Sequence, residues 1–205
     1  YESDTYLDGK KIVHNFLKKK IFYAKDDGSV WVNLEKFNLD EKLLLRSDGT
    51  AVYMTQDIGT AFCRYNDFKF NNMIYVTGNE QNYHFQTLFK ILNEIGCEWS
   101  QNCSHLSYGM IDLPSGKMKS REGTVVDADD LIKKMREDSL ELIKQSNKFD
   151  DFDFKEMEEL SKKIGDSALK YFILKVDSKK NMLFDPNESI DFNGHTGPFI
   201  QYTYA

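Results

Sequence analysis

Between residues 43 and 111, short apolar runs alternate with longer segments of helical rhythm. Leu43-Leu44-Leu45-Arg46, Met73-Ile74-Tyr75-Val76-Thr77 and a run over 104–111 have the length and side chains of buried strands. Helical patterns over 50–65 and 80–95 separate them, and Gly96 is placed as a helix stop. Strands that alternate with helices of this length pair in parallel through right-handed crossovers. The pattern therefore predicts an α/β fold built on a parallel sheet. Ligands of such sheets collect at the carboxyl ends of the strands. Three polar, glycine-bearing loops fall on that edge: residues 46–50, residues 77–81 and the loop after Met110.

The flanks follow other rhythms. Residues 9–20 carry Ile12, Val13, Phe16 and Leu17 on one helical stripe, and residues 21–24 and 30–34 read as a hairpin around Gly28. Asp127 is placed to cap a helix over 129–146, and a longer helix is expected over about 155–175. Residues 181–205 then start another packing unit. The expected boundary lies near 150–165, dividing residues 1–150 from residues 151–205.

Composition narrows the classes. With 40% hydrophobic residues the chain can bury a core, and a net charge of -6 argues against a general nucleic-acid coat. A local basic patch can still bind RNA on an acidic chain. Cys63, Cys97 and Cys103 are widely spaced and odd in number, as expected of reduced thiols in a cytosolic protein. The four histidines lack a ligand spacing, so no structural metal is expected. No apolar run reaches the roughly 18 residues of a membrane span. The opening without Met and the helical pattern still running at Ala205 suggest a segment of a longer protein.

The most distinctive loop is Gly116-Lys117-Met118-Lys119-Ser120-Arg121-Glu122-Gly123, cations and a hydroxyl between glycines after a strand-like run. Such a loop can fold over a polyphosphate; a solvated basic turn has the same composition. Tyr53 and Asp57 are four residues apart, on one face of a helix that starts at the ligand edge. A carboxylate there suits a planar cation such as guanidinium, although it is also what a solvated helix surface carries. Gln81 and His84 open the next helix, and His105 leads into the basic loop.

These stretches also resemble one family. Arg46-Ser47-Asp48-Gly49-Thr50 with Tyr53, Thr55 and Asp57 is similar to the SDGT-x-x-Y-x-T-x-D signature of arginyl-tRNA synthetases. Residues 73–77 followed by Gln81 and His84 resemble their next strand and helix, His105 to Met110 resembles H-x-x-x-G-M, and Lys117 to Gly123 resembles a variant KMSKS loop. Gly194 to Ala205 is similar to the helix that opens their anticodon-binding domain. The resemblance implies the second half of a class I, Rossmann-type catalytic domain over residues 1–150. Residues 151–205 become connecting helices and the start of the helical anticodon-binding domain.

It further implies a cytoplasmic, monomeric ligase that takes arginine, ATP with Mg2+ and tRNA(Arg). In that assignment Lys119 and Arg121 are the catalytic cations, and Tyr53, Asp57, Gln81 and Glu2 bind arginine. His84, His105, Met110, Lys117, Met118 and Ser120 attend ATP. One element is missing: no His-x-Gly-His occurs in these 205 residues, so the chain is expected to be inactive by itself. Another class I synthetase and a non-catalytic tRNA-binding paralogue are the alternative readings.

Overall fold

The computed structural model describes residues 2–112, 127–146, 151–191 and 193–204, with the side chains of residues 2–4 excepted. The chain forms two compact units, Tyr1–Ser107 and Tyr108–Ala205.

The first unit opens with helix α1, Glu2–Lys18, longer at its start than the amphipathic stripe indicated. Strands β1 (Tyr23–Ala24) and β2 (Val30–Val32) form the expected antiparallel hairpin. Strand β3, Lys42–Leu45, joins them antiparallel to β2. It thus completes a three-stranded sheet with the hairpin, where the apolar rhythm placed it beside the strands that follow. A run of three leucines states that a strand is buried, not which neighbour it takes. Helix α2 (Tyr53–Phe68), strand β4 (Met73–Gly78), helix α3 (Asn82–Glu94) and strand β5 (Cys103–Tyr108) supply the strand–helix–strand unit, and β4 pairs with β5.

One core runs through this unit, from Val13 and Phe22 through Leu44 and Ile58 to Leu88 and Ile91. Helices α1 and α2 cross unusually closely, and glycine permits it. A Cβ on Gly59 would lie 2.2 Å from the Thr5 carbonyl oxygen, and one on Gly9 would lie 2.0 Å from the Thr55 carbonyl oxygen. Tyr75 of β4 is buried against Phe85 and Phe89 of α3, with ring centroids 4.7 and 5.7 Å away. Gly96, at φ +83°, ends α3 in the left-handed turn expected of it.

The second unit is mainly helical. The expected third strand stops at Tyr108, because the Gly109 amide turns away to donate to the Ser178 carbonyl at 2.6 Å. Strand β6 (Ile111–Asp112) then pairs in parallel with β7 (Met182–Leu183). Asp127 caps helix α4 (Ala128–Gln145), accepting from the Asp129 amide, as its position suggested. Helix α5 (Phe154–Leu174) begins with a reciprocal cap between Asp153 and Glu156. Helices α6 (Pro186–Ile190) and α7 (Gly197–Tyr204) complete the unit, around Met135, Ala168, Phe172 and Phe184. Arg136 clamps α4 to α5 through two 2.8 Å hydrogen bonds to Asp166.

Candidate active site

The site in the first unit begins with a turn. Asp48 accepts from the Thr50 amide at 2.9 Å, and the Gly49 amide donates to the Arg46 carbonyl at 2.8 Å. Gly49 takes φ +76°, a left-handed value that costs a residue with a Cβ about 1–2 kcal/mol. The Thr50 amide and hydroxyl hold the Asp48 carboxyl below its ordinary range. Arg46 is a structural member of this turn. Its guanidinium donates to the Thr50 hydroxyl at 3.1 Å and the Ala51 carbonyl at 3.0 Å.

Thr55 then ties α2 to β3, its buried hydroxyl donating to the Leu44 carbonyl and accepting from the Val52 amide. These bonds fix the rotation of α2. Met54, Thr55, Ile58, Gly59 and Ala61 face inward, while Tyr53, 78% exposed, and Asp57 stand on the outer edge.

Helix α3 brings the second half. Gln81 is exposed at the end of a short turn that precedes α3, and His84 follows within its first turn. The His84 Nε2 donates to the Asp57 Oδ2 at 2.6 Å, with the two side chains 20% and 34% exposed. This bond joins two residues that the sequence assigned to different substrates. His105 on β5 bonds the Thr77 hydroxyl through its Nε2 at 2.8 Å, and its ring packs 4.6 Å from that of Phe85. Phe85 thus lies between the two histidines, since the His84 ring meets it edge-on at 5.5 Å. Burial pushes the neighbouring Tyr75 hydroxyl up to about 12, so it stays protonated.

A short turn, a carboxylate and a glutamine at the heads of two helices, and ordered histidines beneath them make a polar edge suited to a cationic ligand. Comparison with known proteins decides its lineage. Residues 3–186 match the family model described as tRNA synthetases class I (R), catalytic domain. The chain belongs to this family. The arginine–tRNA ligase of Parabacteroides distasonis is 60% identical over the whole chain, and that of Bacteroides thetaiotaomicron is 59% identical. In both, the match covers 34% of the relative, so the chain spans about a third of the length of the curated relatives it matches.

The same fold occurs in solved arginyl-tRNA synthetases. That of Plasmodium falciparum superposes with a TM-score of 0.73 at 23% identity, over 99% of this chain and 34% of the other. That of Thermus thermophilus gives 0.74 at 19% identity, over 98% and 40%. The chain is therefore a segment of class I, Rossmann-like synthetase architecture.

Within this synthetase segment, the expected residues distribute unevenly. Tyr53, Asp57, Gln81 and His84 gather at the heads of α2 and α3. His105 belongs to the same unit, whereas Met110 lies in the second, 40% exposed, with its amide donating to Asn181 Oδ1 at 2.8 Å. Lys117, Met118, Lys119, Ser120 and Arg121 lie outside the described residues. Glu2 begins α1, and the role expected of its side chain lies outside the described side chains.

Sequence reasoning missed Thr77 as the partner of His105 and Asp57 as the partner of His84. The only signal for either was position: Thr77 stands near the end of β4, and Asp57 in the second turn of α2. Among the described residues, no group of three or more His, Cys, Asp or Glu is placed to hold a metal, and no helix is long and apolar enough to cross a membrane.

Proposed function

We propose that this chain forms part of the active site of an arginine–tRNA ligase, monomeric and cytoplasmic. In that enzyme an arginine carboxylate oxygen attacks the α-phosphorus of ATP. The bond from that phosphorus to the bridging oxygen breaks, and pyrophosphate leaves. A hydroxyl of the terminal adenosine of tRNA(Arg) then attacks the arginyl carbonyl, and AMP leaves as the proton is lost. Mg2+ enters with ATP as part of the substrate. Residues 1–150 belong to the catalytic domain in this reading, and residues 151–205 lead into the anticodon-binding domain.

The observation that carries this reading is Asp57: an anchored, partly exposed carboxylate on a helix whose rotation the Thr55 hydrogen bonds fix. Its carboxylate meets the arginine guanidinium, with Tyr53, Gln81 and Glu2 as further polar partners. A lysine offers no forked donors to match, and a site built for hydrogen bonds discriminates strongly against a ligand that leaves them unmade. His105, held by Thr77, and Met110 attend the adenine. Lys119 and Arg121 neutralise charge on the departing pyrophosphate, and Lys117, Met118 and Ser120 attend ATP. The reaction asks chiefly for positioning and charge stabilisation, which this set of residues supplies without an acid–base dyad.

The test is charging of total tRNA by the complete enzyme that carries this sequence, offered each of the twenty amino acids with ATP. Charging with arginine alone is expected, weakened in Asp57→Asn through a raised KM for arginine. The isolated 205-residue chain, which has no His-x-Gly-His, is expected to charge nothing. Charging with another amino acid overturns the reading, and activity of the isolated chain overturns the need for the missing motif.

A further inference from the structure

We infer that His84 is a positioning residue for arginine: it acts through Asp57 and touches neither ATP nor the reacting atoms. This rests on the reading of Asp57 as the guanidinium partner. Asp57 stands on the outer edge of α2, where a short carboxylate side chain has several rotamers open to it. His84 removes that freedom. Its Nε2–H holds Oδ2 at 2.6 Å, and among the described residues Oδ1 has no such partner. A charge-assisted bond of this length fixes the plane of the carboxylate and leaves one oxygen to receive a ligand donor.

The histidine is itself held. It lies in the first turn of α3, and its ring meets Phe85 edge-on at 88°. Phe85 is buried and packs against Tyr75 and His105. The chain of support therefore runs from the core, through Phe85 and His84, to the carboxylate. The Nε2 that carries this bond is committed to Asp57 and so is not offered to a nucleotide.

The consequence is selective. Loss of His84 leaves Asp57 charged but free to rotate, so each arginine that binds must order it. Arginine affinity falls, while ATP affinity and the chemical step stay as they were. His84→Gln retains an N–H donor at about the same reach and recovers most of the affinity.

The experiment is arginine-dependent ATP–pyrophosphate exchange by the complete enzyme, comparing wild type, His84→Ala, His84→Gln, Asp57→Asn and His84→Ala/Asp57→Asn. We expect KM for arginine to rise about tenfold in His84→Ala, the worth of one charge-assisted hydrogen bond. KM for ATP and kcat should hold within about twofold, His84→Gln should return to within about threefold of wild type, and the double variant should match Asp57→Asn. A raised KM for ATP with an unchanged KM for arginine overturns the proposal, as does additivity in the double variant. Reduced thermal stability with both KM values intact also overturns it, since that is a purely structural histidine. If Asp57→Asn itself leaves KM for arginine unchanged, the arginine-site reading fails first and the proposal falls with it. If Asp57→Asn raises it and His84→Ala does not, the proposal alone fails.

Discussion

The two compact units hold their helices together by different means. In the first, α1 and α2 approach until backbone meets backbone, with Gly59 against the Thr5 carbonyl and Gly9 against that of Thr55. In the second, Gly165 allows a looser approach, its missing Cβ 2.8 Å from the Met135 carbonyl, and the Arg136–Asp166 ion pair clamps the crossing at its surface. The first arrangement relies chiefly on shape, with one weak polar contact from the Cys63 thiol to Asp8 Oδ2 at 3.8 Å, and leaves the polar groups on the edge of α2 available for a ligand. The second uses its polar groups to hold helices. The polar residues expected to bind arginine accordingly stand on the unit whose helix crossing does not need them.

The sharpest way to break this comparison is to add one methyl group to each crossing. In a helix, Gly→Ala ordinarily gains about 1 kcal/mol. At Gly59 the added carbon meets backbone that cannot swing aside, and overpacking of this kind costs about 1–3 kcal/mol, occasionally more. Gly59→Ala is therefore expected to lower stability by up to about 2 kcal/mol, the top of that range less the helical gain. Gly165→Ala should lose less, because its obstacle is 0.6 Å farther away, by subtraction of 2.2 from 2.8 Å. Chemical denaturation of both variants measures this, and equal losses would erase the distinction between the units.

A smaller effect follows from the clamp. The Arg136 hydrogen bonds and charge hold the Asp166 carboxyl below its ordinary value. A carboxyl whose value is lowered by folding contributes stability that is present above its unfolded value, about 3.8, and lost as pH falls through the folded one. Acidification below about pH 4 should therefore remove stability from wild type that Asp166→Asn never had. Because both side chains are substantially exposed, added salt should weaken the contribution further. The check is urea unfolding of the two proteins across that pH range, where the two curves should converge on acidification. Parallel curves would mean that the clamp carries nothing.

Much of the fold was legible because its signals are local. Asp127 and Gly96 mark helix ends through their own chemistry, and both act where the sequence placed them. Pairing is not local, so β3 was legible as a strand while its place beside β2 was not. Ile74 and Val76 show the same limit. A run without alternation reads as buried on both faces, yet these two are 60% and 61% exposed while Met73 and Tyr75 are buried. At the site, helical spacing gave Tyr53 and Asp57 a common face. The link from Asp57 to His84 joins residues 27 apart, and no periodicity specifies it.

The most direct measurement is a crystal structure of the complete enzyme with arginine bound, read at the Asp57 carboxylate. A guanidinium nitrogen is expected about 2.7–2.9 Å from Asp57 Oδ1, with His84 still donating to Oδ2. A guanidinium bound elsewhere, with Asp57 turned to solvent, would contradict it.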